Sequence, residues 1–125
     1  MDVKIDTKEK FVVISPNTEE LTANMTEEFT KMLLPYLQKD IPHIVLNMSA
    51  IKTVDEKAGE ALANIQQEFY ENNCSMVICG LQPAVEEKLD QLELLEILNV
   101  TPTESEAWDI VQMEEIEREL LGGQD

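Results

Sequence analysis

Three consecutive charged residues, Asp55-Glu56-Lys57, stand between a short apolar run and a segment with helical periodicity, and no other stretch of the chain is better placed for chemistry. The run Ile44-Val45-Leu46 leads into a polar loop. Ala58, Ala61, Leu62, Ile65 and Phe69 then recur at spacings of three and four, so the order is strand, loop, helix. In an open α/β sheet the usual site lies where a strand's carboxyl end meets a helix's amino end, because the first helical N–H groups are unpaired there. Thr53 and Asp55 can each cap such a helix by accepting from those groups, and acid there also suits the helix dipole. Capping alone accounts for these residue types.

Catalytic alternatives are poorly supplied. The one histidine, His43, directly precedes a strand, where a hydrogen-bonded structural role is expected rather than that of a base. No nucleophile comes with a base and an orienting group, and there is no G-x-S-x-G. Gly59, Gly80, Gly122 and Gly123 match neither dinucleotide nor phosphate-loop spacing. Cys74 and Cys79 form C-x4-C far from His43 in sequence, which indicates neither a disulfide scaffold nor a zinc site, and Cys79 reads as a small core residue. Neither an enzyme nor a cofactor or metal site is expected.

Composition narrows the partners. Nine basic and 26 acidic residues, 9 − 26 = −17, repel phosphate backbones and anionic lipid, which argues against nucleic-acid and membrane-surface binding. No basic lead and apolar run opens the sequence at Met1-Asp2-Val3-Lys4, and no apolar stretch approaches the roughly 18 residues of a membrane span. A cytoplasmic protein without membrane insertion is expected. The 125 residues suit one domain, 1–125, with its own core.

The remaining elements frame the loop. Val3, Ile5 and Thr7 alternate with polar residues and precede Phe11-Val12-Val13-Ile14, which predicts a hairpin of one half-exposed and one buried strand. Ser15-Pro16-Asn17-Thr18 is turn chemistry. A first helix is expected on the stripe Leu21, Met25, Phe29, Met32, Leu33, Tyr36 and Leu37, kinked or ended early by Pro35. Ile44-Val45-Leu46 is apolar on both pleat faces, as in a central strand, and Asn72-Asn73 closes the second helix. Met76-Val77-Ile78-Cys79 is a further buried strand, and Pro83 opens a third helix using Val85, Leu89 and Leu92, with Leu95-Leu98 as its possible continuation. Ile97 to Val100 fits a helix tail or a short last strand. Thr103 with Glu106 forms a capping box for a terminal helix on Trp108, Val111, Ile116 and Leu120, ended by Gly122-Gly123. Met25, Met32, Met48, Met76 and Met113 read as core filler. The alternation implies an α/β fold: one small mixed sheet of four to five strands, with about four helices mainly on one face.

The run His43 to Met48, Val54-Asp55-Glu56-Lys57-Ala58-Gly59-Glu60-Ala61-Leu62, and Met76 to Val85 with its Pro-containing turn together resemble the STAS domain, the fold of bacterial anti-sigma-factor antagonists. Ile14-Ser15 to Thr22-Ala23 fits that family's second strand and first loop, so the resemblance spans nearly the whole chain. In the family pattern the helix opens with Asp-Ser-Ser/Thr-Gly. Here Asp55 matches the aspartate, Glu56 the first Ser, Lys57 the Ser or Thr that a cognate kinase phosphorylates, and Ala58 the Gly; Pro16-Asn17 replaces the usual Gly-Glu or Gly-Asp of the first loop. Lys57 cannot take a phosphate ester, and Glu56 beside Asp55 supplies standing negative charge, part of it cancelled by Lys57, where a phosphate adds roughly −1.5 to −2.

The resemblance implies a non-enzymatic interaction module that regulates transcription by binding a serine-kinase-like anti-sigma factor through Thr53, Asp55, Glu56, Lys57, Ala58 and Gly59 and the exposed second helix. The phosphate switch is then either absent or moved to Ser49 or Thr53. Two alternatives remain: an accessory subunit of a membrane transporter, as some single-domain STAS proteins are, and a small-ligand or nucleotide sensor, which the net charge disfavours for anionic ligands.

Overall fold

The structure is a computed structural model and describes residues 1–122. Its elements are β1 (Val3–Thr7), β2 (Val12–Pro16), β3 (Glu20–Leu21), a 3₁₀ turn at Ala23–Met25, α1 (Thr26–Leu33), a second 3₁₀ segment at Leu34–Gln38, β4 (Ile44–Asn47), β5 (Thr53–Val54), α2 (Glu56–Glu71), β6 (Met76–Cys79), α3 (Pro83–Gln91), β7 (Val100–Thr101) and α4 (Glu104–Gly122). Five strands form one mixed sheet in the order β1-β2-β4-β6-β7, and β3 pairs with β5 in a separate two-stranded ribbon. Only the β1–β2 pair is antiparallel; Val12 lies beside Ile44, Ile44 beside Met76 and Ile78 beside Val100 in parallel register.

Alternation along each strand divides the core in two. Ile14, Ile44, Leu46, Met76 and Ile78 face one way and pack on Phe29 and Leu33 of α1, Leu62, Ile65 and Phe69 of α2, and Val85 and Leu89 of α3. Val13, Val45, Val77 and Cys79 face the other way, against Ala107 and Val111 of α4. Trp108 extends this second layer by stacking on Phe11, with ring centroids 4.7 Å apart. Three helices therefore cover one face and one long helix the other. β4 is central and buried on both sides, as its continuous apolar run predicts.

Several boundaries differ from the sequence reading. Ser15 and Pro16 complete β2 opposite Lys4 and Val3, and the turn begins only at Asn17, whose N–H donates to the Asp2 carbonyl. Leu21 belongs to β3 rather than to the first helix, and the α-helix starts at Thr26. A distant partner, β5, competes successfully for Glu20 and Leu21, and local periodicity carries no trace of that partner. Pro35 acts as expected: α1 stops at Leu33 and the chain tightens into 3₁₀ geometry. α3 begins at Pro83 and ends at Gln91, after which Glu93 adopts a left-handed conformation (φ 61°) and Val100 enters β7.

The terminal helix departs furthest from expectation. Thr103 Oγ1 accepts from the Glu106 N–H at 3.2 Å, so the capping role holds. Ala107 and Val111 are buried, but Met113, Ile116 and Leu120 are exposed; none of these three is core. Met48 and Met76 are buried as expected. Of the Gly122-Gly123 stop, Gly123 lies outside the described residues.

Candidate functional site

The loop between β4 and α2 is shaped by its own side chains. Asn47 Oδ1 accepts from the Ser49 N–H at 3.0 Å, the Ile51 N–H reaches back to the Met48 carbonyl, and the Gln82 amide donates to the Ser49 carbonyl. Met48 and Ile51 point into the core, which leaves Ser49 and Ala50 at an exposed tip. Gly80, at the end of β6, has φ +74°, and a Cβ there would meet Asn47 Oδ1 at 3.0 Å and Ser49 Cβ at 3.3 Å. The close approach and the positive φ both call for glycine.

Two chain segments then meet in the β3–β5 ribbon. Glu20 lies beside Thr53 and Leu21 beside Val54, and the Glu19 carbonyl accepts from the N–H groups of both Lys52 and Thr53. Lys52 Nζ closes on Glu19 Oε1 at 3.1 Å, an exposed pair of small energetic weight. The ribbon thus holds the loop after β2 against the loop after β4.

Asp55 locks this junction. One carboxylate oxygen accepts from the Ala58 N–H at 2.9 Å, which caps α2; the other accepts from the Ala23 N–H at 2.8 Å, at the start of the 3₁₀ turn before α1. The Asp55 N–H donates to the Leu21 carbonyl. The Ala58 bond, then the Ala23 bond, hold the carboxyl below its ordinary value of 3.8; slight burial opposes this and Lys88 adds a smaller pull. Of the two sequence candidates, Asp55 is the cap, while Thr53 sits exposed on β5.

The six residues of the expected contact surface separate into two groups. Thr53, Glu56 and Lys57 are exposed and Asp55 half-buried. Ala58 and Gly59 are buried and face inward: a Cβ on Gly59 would lie 2.8 Å from Leu94 Cδ1 and 3.3 Å from Leu89 Cδ2. Gly59 therefore serves the close approach of α2 to the α3 region, not a surface. Lys57 Nζ lies 3.9 Å from Glu60 Oε2 on the outer face, with the lysine side chain largely in solvent. Ser49 and Thr53 are both solvent-exposed hydroxyls near this face. Sequence reasoning missed Glu19, Lys52 and the Ala23 N–H as parts of the junction. Two-residue strands leave no periodic signal that could have revealed them.

His43 lies at the other end of β4 and is not a member of this site. Its Nδ1 accepts from the Ser75 N–H at 3.0 Å and its Nε2 lies 2.7 Å from Glu115 Oε1, so the neutral ring carries its proton on Nε2. This is the structural role expected of it. Cys79 is buried, and burial pushes its thiol up to about 12, away from reactivity. Among the described residues no group of three His, Cys, Asp or Glu could hold a metal, and no helix is long and apolar enough to cross a membrane.

A mixed sheet with β1 antiparallel at its edge, a ribbon joining two loops, and a helix capped by aspartate at the carboxyl ends of the parallel strands define a small α/β scaffold. The STAS domain family model matches residues 2–107, and the chain belongs to that family. Solved structures share the fold. A Thermotoga maritima protein described as a candidate anti-sigma factor antagonist aligns with a TM-score of 0.78 and 22% identity over 88% of this chain and 94% of that one. The anti-sigma factor antagonist SpoIIAA in its unphosphorylated form aligns at 0.68 and 18% over 89% and 96%. The murine anion transporter Slc26a9 aligns at 0.70 and 16%, over 83% of this chain but only 18% of that one.

Proposed function

We infer that this chain is a protein-interaction module of the anti-sigma-factor-antagonist type, regulating transcription by binding a serine-kinase-like anti-sigma factor at the start of α2 and along that helix's outer face. The observation that carries this reading is Asp55: by accepting from both Ala58 and Ala23 it fixes two loops and α2 as one rigid surface, from which Glu56 and Lys57 project into solvent. A prearranged surface loses little freedom on docking, which favours binding. On the resemblance, Lys57 falls where the family carries a phosphorylated Ser or Thr, and on that reading binding here is constitutive and set by fixed charge. Exposed Ser49 and Thr53 are the hydroxyls to which a phosphate switch could have moved.

The test is titration of the chain against a purified anti-sigma factor of its own genome. Lys57→Glu is expected to change affinity by more than the ~0.5 kcal/mol typical of a surface substitution. An unchanged affinity removes the reading. Incubation with that kinase followed by phosphosite mapping addresses the switch: phosphate on Ser49 or Thr53 sinks the constitutive form. The likeness to part of Slc26a9 supports a second reading, an accessory subunit of a membrane transporter, for which the chain would copurify with a permease and its ATPase instead.

A further inference from the structure

α4 presents a second surface on the opposite face of the sheet. As far as Val111 the helix is held by apolar contacts. Beyond Val111 it is held by side-chain bonds instead: Tyr70 Oη donates to Glu114 Oε1 at 2.7 Å, His43 Nε2 meets Glu115 Oε1 at 2.7 Å, and Arg118 Nη2 donates to Ser75 Oγ at 2.9 Å. Glu114, Glu115 and Arg118 therefore all face the domain, which sets the rotation of the helix. The opposite side of the same turns carries Met113, Ile116 and Leu120, exposed by 56%, 56% and 65%.

Single exposed apolar side chains are ordinary. These three are in register, at spacings of three and four, and so form one stripe with the a, d, a order of a coiled-coil seam. The inward-facing Arg118 then falls opposite the seam, as the bonds above require. Glu117 and Glu119 take the two flanking positions whose charges select a partner helix. Arg118 is the one basic residue of α4 and is committed to Ser75, so nothing on this helix relieves the acidic rim. A second copy would bring like charges together from a chain of net charge −17, and anionic lipid would be repelled as well.

We propose that the Met113–Ile116–Leu120 stripe packs against a basic amphipathic helix of a partner protein, its apolar residues in the seam and its Lys or Arg beside Glu117 and Glu119. α4 lies across the sheet from α2, so this contact is separate from the one inferred at Asp55 and both can be made at once.

A synthetic helical peptide with Leu at a and d and Lys at the flanks is the probe, and the same peptide with Ser in place of Leu controls for charge alone. Titrated into the full chain and followed by backbone NMR, the Leu peptide should shift resonances at 109–120. It should bind at least tenfold more tightly than the Ser peptide. The double variant Ile116→Glu, Leu120→Glu should lose at least tenfold in affinity with an unchanged circular dichroism melt, because both side chains are already in solvent. Lys57→Glu should leave peptide binding unaltered. Equal affinity for the two peptides, undiminished binding by the double variant, or shifts confined to the start of α2 would each overturn the proposal. So would a homodimer in sedimentation equilibrium that the double variant abolishes.

Discussion

The two ends of the parallel strands hold their helices by different means. At the carboxyl ends α2 is fixed by backbone groups: Asp55 gathers two N–H donors, and the ribbon pairs main chain with main chain. At the amino ends the second half of α4 is fixed by side chains meeting side chains, through Glu114, Glu115 and Arg118. Backbone fixation leaves the outward side chains of α2, Glu56 and Lys57 among them, projecting into solvent. Side-chain fixation spends the polar residues of α4 on the inside and leaves apolar ones outside.

Breaking each attachment should separate the two. The largest effect is expected where α2 enters the core. Leu62→Ala removes a fully buried side chain beneath that helix and should cost about 2–5 kcal/mol in urea denaturation, with the whole domain unfolding together. His43→Ala attacks the other end. It strands the buried Ser75 N–H and frees Glu115, so about 1–3 kcal/mol is expected, with faster amide exchange concentrated in 112–120. Exchange that quickens equally in α2 would contradict the division drawn here. Asp55→Ala removes the cap and should cost about 1 kcal/mol, loosening residues 20–24 along with the first turn of α2.

Opposite extremes of pH should sharpen the same contrast. Asp55 has a lowered pKa when folded, so its stabilisation is present above the ordinary carboxylate value and is lost as pH falls through the folded one. Tyr70 is the reverse case. Burial first, then its hydrogen bond to Glu114 and that residue's charge, push its phenol well above 10, so the folded form keeps its proton after the unfolded form has lost it. Stability from this end is therefore present below about pH 10 and falls as pH rises beyond that. Acid should loosen the Asp55 junction and alkali the α4 attachment, read by amide exchange below pH 4 and by ultraviolet titration of Tyr70 above pH 10. The smallest effect on stability belongs to Lys57→Glu, within about 0.5 kcal/mol, because its side chain is largely in solvent and lies 3.9 Å from Glu60.

The alternation of the longer strands with the helices, the double-sided burial of Ile44 to Leu46, the break at Pro35, the start at Pro83 and the structural role of His43 all follow from residue types and near neighbours, so the sequence by itself determined them. The candidate loop was also legible, since strand, acidic cap and helical stripe are adjacent in the chain. Tertiary structure alone decided what depends on distant partners. Glu20-Leu21 became a strand because Thr53-Val54 lay alongside, and Asp55 gained a second donor from Ala23. Gly59 turned inward because Leu89 and Leu94 approach it. Ile116 and Leu120 stand about 140° and about 180° round the helix from Val111, so burial of Val111 turns them outward, and Tyr70, His43 and Ser75 take up Glu114, Glu115 and Arg118 on Val111's own side. Periodicity identifies which residues share a face of a helix. Which face is buried is settled by the partners that side meets, and those are far away in the chain.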